Sequence, residues 1–463
     1  MTLSPEQASI RFGCGLSPEL PPQTTADLLA GLRGQDDSAA QFPIESFSAY
    51  AQNLEAAARL RRDIKTAKKH GKTKHANAAR DEISAMRKRL ASQSLGWYVN
   101  TLLRWSWSEA PLRERLAMFW ADHFTAMGKN PIMVPAAFPY IEEAIRPNVN
   151  GRFADLLIAA VTHPLMLHFL DQSYSVGPGS VAAERAERLG GLNENLAREV
   201  LELHTLGVDG PYNQDDVRQL AELFTGLSYK TDGTFTFREG FAEPGAETVL
   251  GVRYGVGKPG IEPVLDALRD LSVHPATARH IALKLAVHFV SDNPGPALVD
   301  HVAARFVDTD GDLQEVYAAL LDHPASWTEA TGNVKPPFDL IATSCRALAV
   351  TPKAMQGLEP RKVRRALLRP LAEMGQPLLK PGGPDGWAEE DAAWITPQGL
   401  SARLRWAVSA PTVLRPNLPE PSAFVDAALG PFATQSVRFA AQAAESRSDA
   451  IGLVLSSPAF QRR

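Results

Sequence analysis

Cysteine is almost absent from this chain, with Cys14 and Cys345 alone in 463 residues. Two cysteines so far apart supply neither a disulfide framework nor the paired spacing of a zinc site. Long apolar runs are missing as well, and none approaches the roughly 18 residues that span a bilayer. The opening Met1-Thr2-Leu3-Ser4-Pro5-Glu6 lacks a basic segment followed by an apolar one, so no secretory leader is read there. As written, the chain is expected to be soluble and cytoplasmic, and exported only if a leader has been removed. Net charge is small, −4 at pH 7, which excludes a global field that selects nucleic acid or an anionic membrane. No phosphate-binding loop, dinucleotide fingerprint or nucleophile elbow occurs. Aromatic residues are 8 % of the chain, and β-branched residues are few beside alanine and leucine, which favours helix over sheet.

What is present reads as a mainly α protein: a large helical domain, one short β-hairpin and a Pro/Gly-rich C-terminal segment. Residues 1–46 form a turn-rich segment with a short helix, and 47–100 a basic helical pair. Residues 101–350 form the main helical domain, and 351–463 a Pro-rich segment with closing helices packed onto it. Between Arg59 and Arg89 twelve Lys/Arg face three Asp/Glu, a local charge of +9 that leaves −13 on the rest. No aromatic residue is interleaved there for base stacking, so a solvated hairpin turning at His70-Gly71-Lys72 is expected instead of a nucleic-acid site. Trp97, Leu102, Trp105, Leu112, Leu116, Phe119 and Trp120 recur at buried-face spacing and read as core. A helix is expected from Phe153 to about Leu170, and another from Val217 capped by Asp215-Asp216. The Asp232-Gly233 pair marks the hairpin. His163, His274 and His323 each precede a proline at a helix boundary, which suits capping.

The densest chemistry lies in Asn193 to Gly207, with three carboxylates, a guanidinium, two amides and an imidazole in fifteen residues. On a regular helix with Glu194 at 0°, Thr205 falls at about 20°, Arg198 about 40°, Glu202 about 80°, Asn195 about 100° and Glu199 about 140°. These form one polar stripe without lysine, opposite an apolar one. Glu199 and Glu202 point the same way and could share a proton or hold a hard cation. His204 falls among the leucines and reads as a core histidine, and the pattern is not the His-Glu-x-x-His zinc motif. Other ligands would have to come from Asp122, His123, His163, His168 or Asp171, none at diagnostic spacing, so a divalent metal is neither indicated nor excluded. The site expected from these residues places Glu199, Glu202, Glu194, Asp122 and His123 in catalysis. Asn195, Arg198, Asp171, Trp120 and Tyr212 are placed around a substrate.

Several motifs occur together in one order: Phe119-Trp120-Ala121-Asp122-His123-Phe124, His163-Pro164, Leu170-Asp171-Gln172-Ser173, Asn193 to Glu199, Glu202 to Gly210, Leu223-Phe224-Thr225-Gly226 and His274-Pro275. With these the chain resembles, over nearly its whole length, the bacterial DUF1800 family, whose name carries no activity. The resemblance implies a mainly helical protein and a sulfatase-like partner encoded nearby. Where relatives commonly carry His-Asp and then Lys, this chain has Ala242, Glu243 and Glu247, which implies a lost or rerouted function if that pair is catalytic. Two readings stay open. One is a hydrolase or lyase acting on a glycan or cell-envelope substrate through clustered carboxylates. The other is a non-catalytic binding or assembly protein whose Glu/Arg stripe is a structural salt-bridge network. No nucleic acid or membrane partner is expected.

Overall fold

A computed structural model describes residues 4–185, 191–327 and 332–463. It is 65 % helical, with two short antiparallel two-stranded sheets, so the mainly α expectation holds. Buried side chains from Ala8 to Phe460 form one hydrophobic cluster. The seven aromatic and leucine positions between Trp97 and Trp120 are all buried in it.

The basic pair consists of helices Phe47–Lys69 and Thr73–Trp107, reversing at His70-Gly71-Lys72 where Gly71 has φ +67°. Only Gly enters that left-handed region without a Cβ penalty. Alanines 57, 67, 76 and 79 are buried between the two helices, and the cations from Arg59 to Arg89 stay outside.

The three His-Pro steps repeat one capping device. Each imidazole Nδ1 accepts the backbone N–H two residues on: His163 from Leu165 at 3.1 Å, His274 from Ala276 at 3.1 Å and His323 from Ala325 at 3.2 Å. At His163 the cap divides the helix expected from Phe153 to Leu170 into Phe153–Val161 and Pro164–Phe169. Proline cannot donate into the preceding turn and is favoured at the first helical position, so the chain restarts there. The helix expected from Val217 begins earlier, at Gln214, because Asn213 is its cap and forms a capping box with Asp216.

The expected hairpin pairs Leu227–Tyr229 with Phe235–Phe237. A second pairs Glu247–Val249 with Val252–Tyr254. Its turn places both Leu250 (φ +50°) and Gly251 (φ +79°) in the left-handed region, the pattern of a tight primed turn. Leucine is rare at such a position, and the Leu250 N–H is held by Asp216 Oδ1 at 2.7 Å.

Candidate active site

The polar stripe does not ride on a regular helix. An α-turn Asn195–Glu199 continues as a π-helical turn Val200–His204, which changes every angle beyond Glu199. Thr205, expected on the polar side, is fully buried, and its Oγ1 donates back to the Val200 carbonyl at 2.6 Å. The π turn ends abruptly at Thr205, and two imidazoles take its last carbonyls. His280 Nε2 meets Leu203 O at 3.0 Å and His123 Nε2 meets His204 O at 3.3 Å. His123, expected in catalysis, therefore serves as a cap from the neighbouring helix. His204 is buried as expected, and burial pushes it down to about 3. His123, too, is driven well below its ordinary value, first by burial and then by the charge of Lys284.

On the accessible side of this helix, Arg198 joins Glu194 at 3.1 Å and Glu202 at 3.2 Å, and also donates to Gln214 at 3.0 Å. All three charged side chains are between a quarter and two fifths exposed. Asn195 is exposed. Tyr212 bonds the Val208 carbonyl at 3.0 Å and lies beside Glu202. Asp171 pairs with Lys129 at 2.5 Å on the surface. Trp120 is fully buried, with its indole N–H spent on the Tyr317 hydroxyl at 2.6 Å, so it lies in the core and not on a binding surface.

Asp122 stands elsewhere. Helix Pro111–His123 presents Arg115, Met118, Phe119 and Asp122 along one face, toward a cavity of about 90 Å³. Its lining is mostly apolar, including Trp105, Phe338, Trp387 and Trp394. The ionisable exceptions include Arg115, Asp122, His288, Asp339 and Glu389, with Thr125, Tyr140 and Gln376 as further polar lining. None of Glu194, Asn195, Arg198, Glu199 and Glu202 lines it.

The Pro/Gly-rich segment around Pro381 to Trp394 covers this cavity. Both Asp122 carboxylate oxygens accept the Trp387 N–H, at 3.1 and 3.2 Å. A Cβ on Gly386 would come within 2.7 Å of Asp122 Oδ2, so glycine is what lets the strap lie down there. Glu389 on the strap meets His288 Nδ1 at 2.8 Å, while His288 Nε2 faces Arg115 and Arg463, each at 3.4 Å. With guanidinium donors at Nε2, the imidazole proton sits on Nδ1 and donates to Glu389.

Enclosure shifts both carboxyls. Burial raises Asp122 to about 8, with repulsion from Glu389 and Asp385 adding to it and Lys284 opposing. Burial raises Glu389 to about 7 against the attraction of Lys284 and Arg115. Glu199 also rises to about 7 through burial, Glu202 and Asp385. Asp385 therefore acts on both the stripe and the cavity.

The stretch with Ala242, Glu243 and Glu247 lines neither feature. Glu243 takes the Gly179 N–H at 2.8 Å and its own N–H donates to Thr225 at 2.7 Å. Glu247 is buried at the start of a strand and raised to about 7 by burial and by Glu222 and Glu243. Among the described residues no group of three or more His, Cys, Asp or Glu is arranged to hold a metal ion.

Sequence reasoning reached Asp122 through the polar interruption of an aromatic run. It missed Arg115, Glu389 and His288, although His280, Lys284 and His288 at fourfold spacing on helix Pro275–Phe289 were a visible signal. No helix of the described residues is long and apolar enough to cross a membrane. No curated protein and no solved structure matches the chain. The model of a family described as a protein of unknown function, DUF1800, matches residues 9–462, and the chain belongs to that family.

Proposed function

We propose that this protein is an acid–base enzyme, a hydrolase or lyase, whose reaction takes place in the cavity between Asp122 and the Glu389–His288 pair. The observation that carries this reading is that two carboxyls raised to about 8 and about 7 line one mainly apolar cavity. At neutral pH Asp122 is largely protonated and serves as the general acid. Glu389, held by the His288 Nδ1–H, is substantially ionised and serves as the general base. Proton transfer by positioned groups of this kind contributes roughly 10²–10⁴-fold in rate. The mainly apolar lining favours a small substrate with an apolar body over the expected glycan.

The second reading keeps a place for the stripe. Glu194, Arg198, Glu202 and Gln214 pair with one another, which favours a structural network on that helix. The test is turnover of a panel of small aryl esters and β-hydroxy acids across pH. The reading expects a bell-shaped profile with limbs near the two carboxyl values, abolished by Glu389→Gln with the fold intact. A panel without turnover, or turnover that survives Glu389→Gln, contradicts it.

A further inference from the structure

Most buried arginines among the described residues are met either by carboxylates or by carbonyl and amide oxygens alone. Arg104 is clamped by Glu142 at 2.5 and 3.0 Å. Arg146 is shared between Glu114 and Asp36, and Arg463 pairs with Asp339. Arg346 and Arg113 lack carboxylates but spend their protons on four and three backbone carbonyls respectively. Arg403 is held by Gln461 Oε1 and the Lys335 carbonyl.

Arg115 differs. It is 2 % exposed and its guanidinium sits over the rings of Trp105 and Phe289, at 5.7 and 5.1 Å. Its hydrogen bonds are one to the Gly13 carbonyl at 3.2 Å and one to His288 Nε2 at 3.4 Å. Among the described residues no carboxylate lies within ion-pair distance of it, and Glu389, whose charge reaches it through space, is engaged by His288. A guanidinium carries five N–H donors in a planar fork that fits a carboxylate. Burying such a charge without a counter-ion costs several kcal/mol. Arg115 is also the one of these arginines that lines the apolar cavity.

We infer that this cavity binds a small monocarboxylate with an apolar, preferably aromatic body, and that Arg115 supplies its counter-ion. This deepens the acid–base reading by naming the substrate class, and rests on that reading for the claim that the bound molecule is the substrate. The carboxylate would take the free edge of the guanidinium fork. The body would lie between Trp387, Phe119 and Phe338. Asp122, protonated at neutral pH, adds no repelling charge at that pH.

Isothermal titration calorimetry of the full chain with phenylacetate and with its neutral isostere phenylacetamide tests this. Phenylacetate should bind at least tenfold more tightly, and Arg115→Met should remove that preference by lowering phenylacetate affinity at least tenfold more than phenylacetamide affinity. Should Arg115→Met fail to fold, Ala126→Leu fills the cavity with Arg115 in place and should abolish binding of both. Equal affinity for the two compounds overturns the inference. So does phenylacetate binding that survives both substitutions, or an absence of binding by phenylacetate, benzoate and hexanoate at millimolar concentration. Carboxylate binding without any turnover leaves this inference standing and sinks the acid–base reading. Turnover of a neutral substrate that is indifferent to Arg115→Met does the reverse.

Discussion

Two clusters in this protein are built from the same parts, carboxylates around one arginine, and they behave oppositely. On the helix after Asn193, Arg198 lies between Glu194 and Glu202 with Gln214 alongside, partly open to water. In the cavity, Arg115 has no carboxylate partner, and the nearby carboxyls rise to about 7 and about 8. In the first cluster Arg198 is answered by Glu194 and Glu202 and solvent screens what remains, while Glu199, raised to about 7, stands outside that network. In the second, burial leaves a cation without an anion and two acids whose protons are retained toward neutrality. Density of functional groups in sequence marked the first cluster, whereas incompleteness in space marks the second.

The largest expected difference is catalytic. Glu389→Gln and Asp122→Asn should each lower turnover by ~100-fold or more. Glu202→Gln should change it by less than about threefold, since Glu202 touches Arg198 and not the cavity. A comparable loss from Glu202→Gln would merge the two clusters into one site.

Next comes the pH dependence of stability. Asp122 rises from 3.8 to about 8 on folding, so between these values the folded chain holds a proton that the unfolded chain has released. Its contribution is therefore present at low pH and lost as pH rises toward 8. Relative to Asp122→Asn, the wild type should lose ~1.4 kcal/mol per pH unit between pH 6 and 7.5. Denaturant unfolding of both proteins at several pH values measures this, and taking the difference cancels the opposing titrations of the buried histidines and Lys335. A pH-independent difference would show Asp122 to be ionised throughout.

The smallest effect distinguishes the arginines by sign. Arg198→Met should destabilise by about 0.5–1 kcal/mol, and less at high salt, as partly exposed i,i+4 pairs do. Arg115→Met should leave the ligand-free protein equally stable or raise its stability by ~1–2 kcal/mol, because an apolar side chain replaces an uncompensated buried charge. Thermal melts of the two variants in low and high salt provide the check.

The helical fold was legible in the sequence because periodicity, His-Pro caps and the Gly71 reversal are local signals. The Asp-Gly hairpin was legible for the same reason, whereas the Leu250-Gly251 turn was not, since leucine does not announce a left-handed backbone. The π turn was hidden because its buried residues, Val200, Leu201, His204 and Thr205, keep a spacing that a regular helix also produces. Within the site, Asp122 stood out against an aromatic run. Arg115 did not, because its meaning lies in a missing partner, and absence of a partner is a property of three dimensions. Glu389 lies more than 260 residues from Asp122 in sequence, on a strap whose composition suggested only turns.

Enclosure at Asp122, and not charge density on the Asn193 helix, is what we propose marks the site. Carbon-13 NMR of protein labelled at aspartate side-chain carboxyls, with Asp122→Asn to assign the signal, reads it directly and needs no substrate. A midpoint near 8 for Asp122 is the predicted result. Titration in the ordinary aspartate range, about 4, would contradict the account.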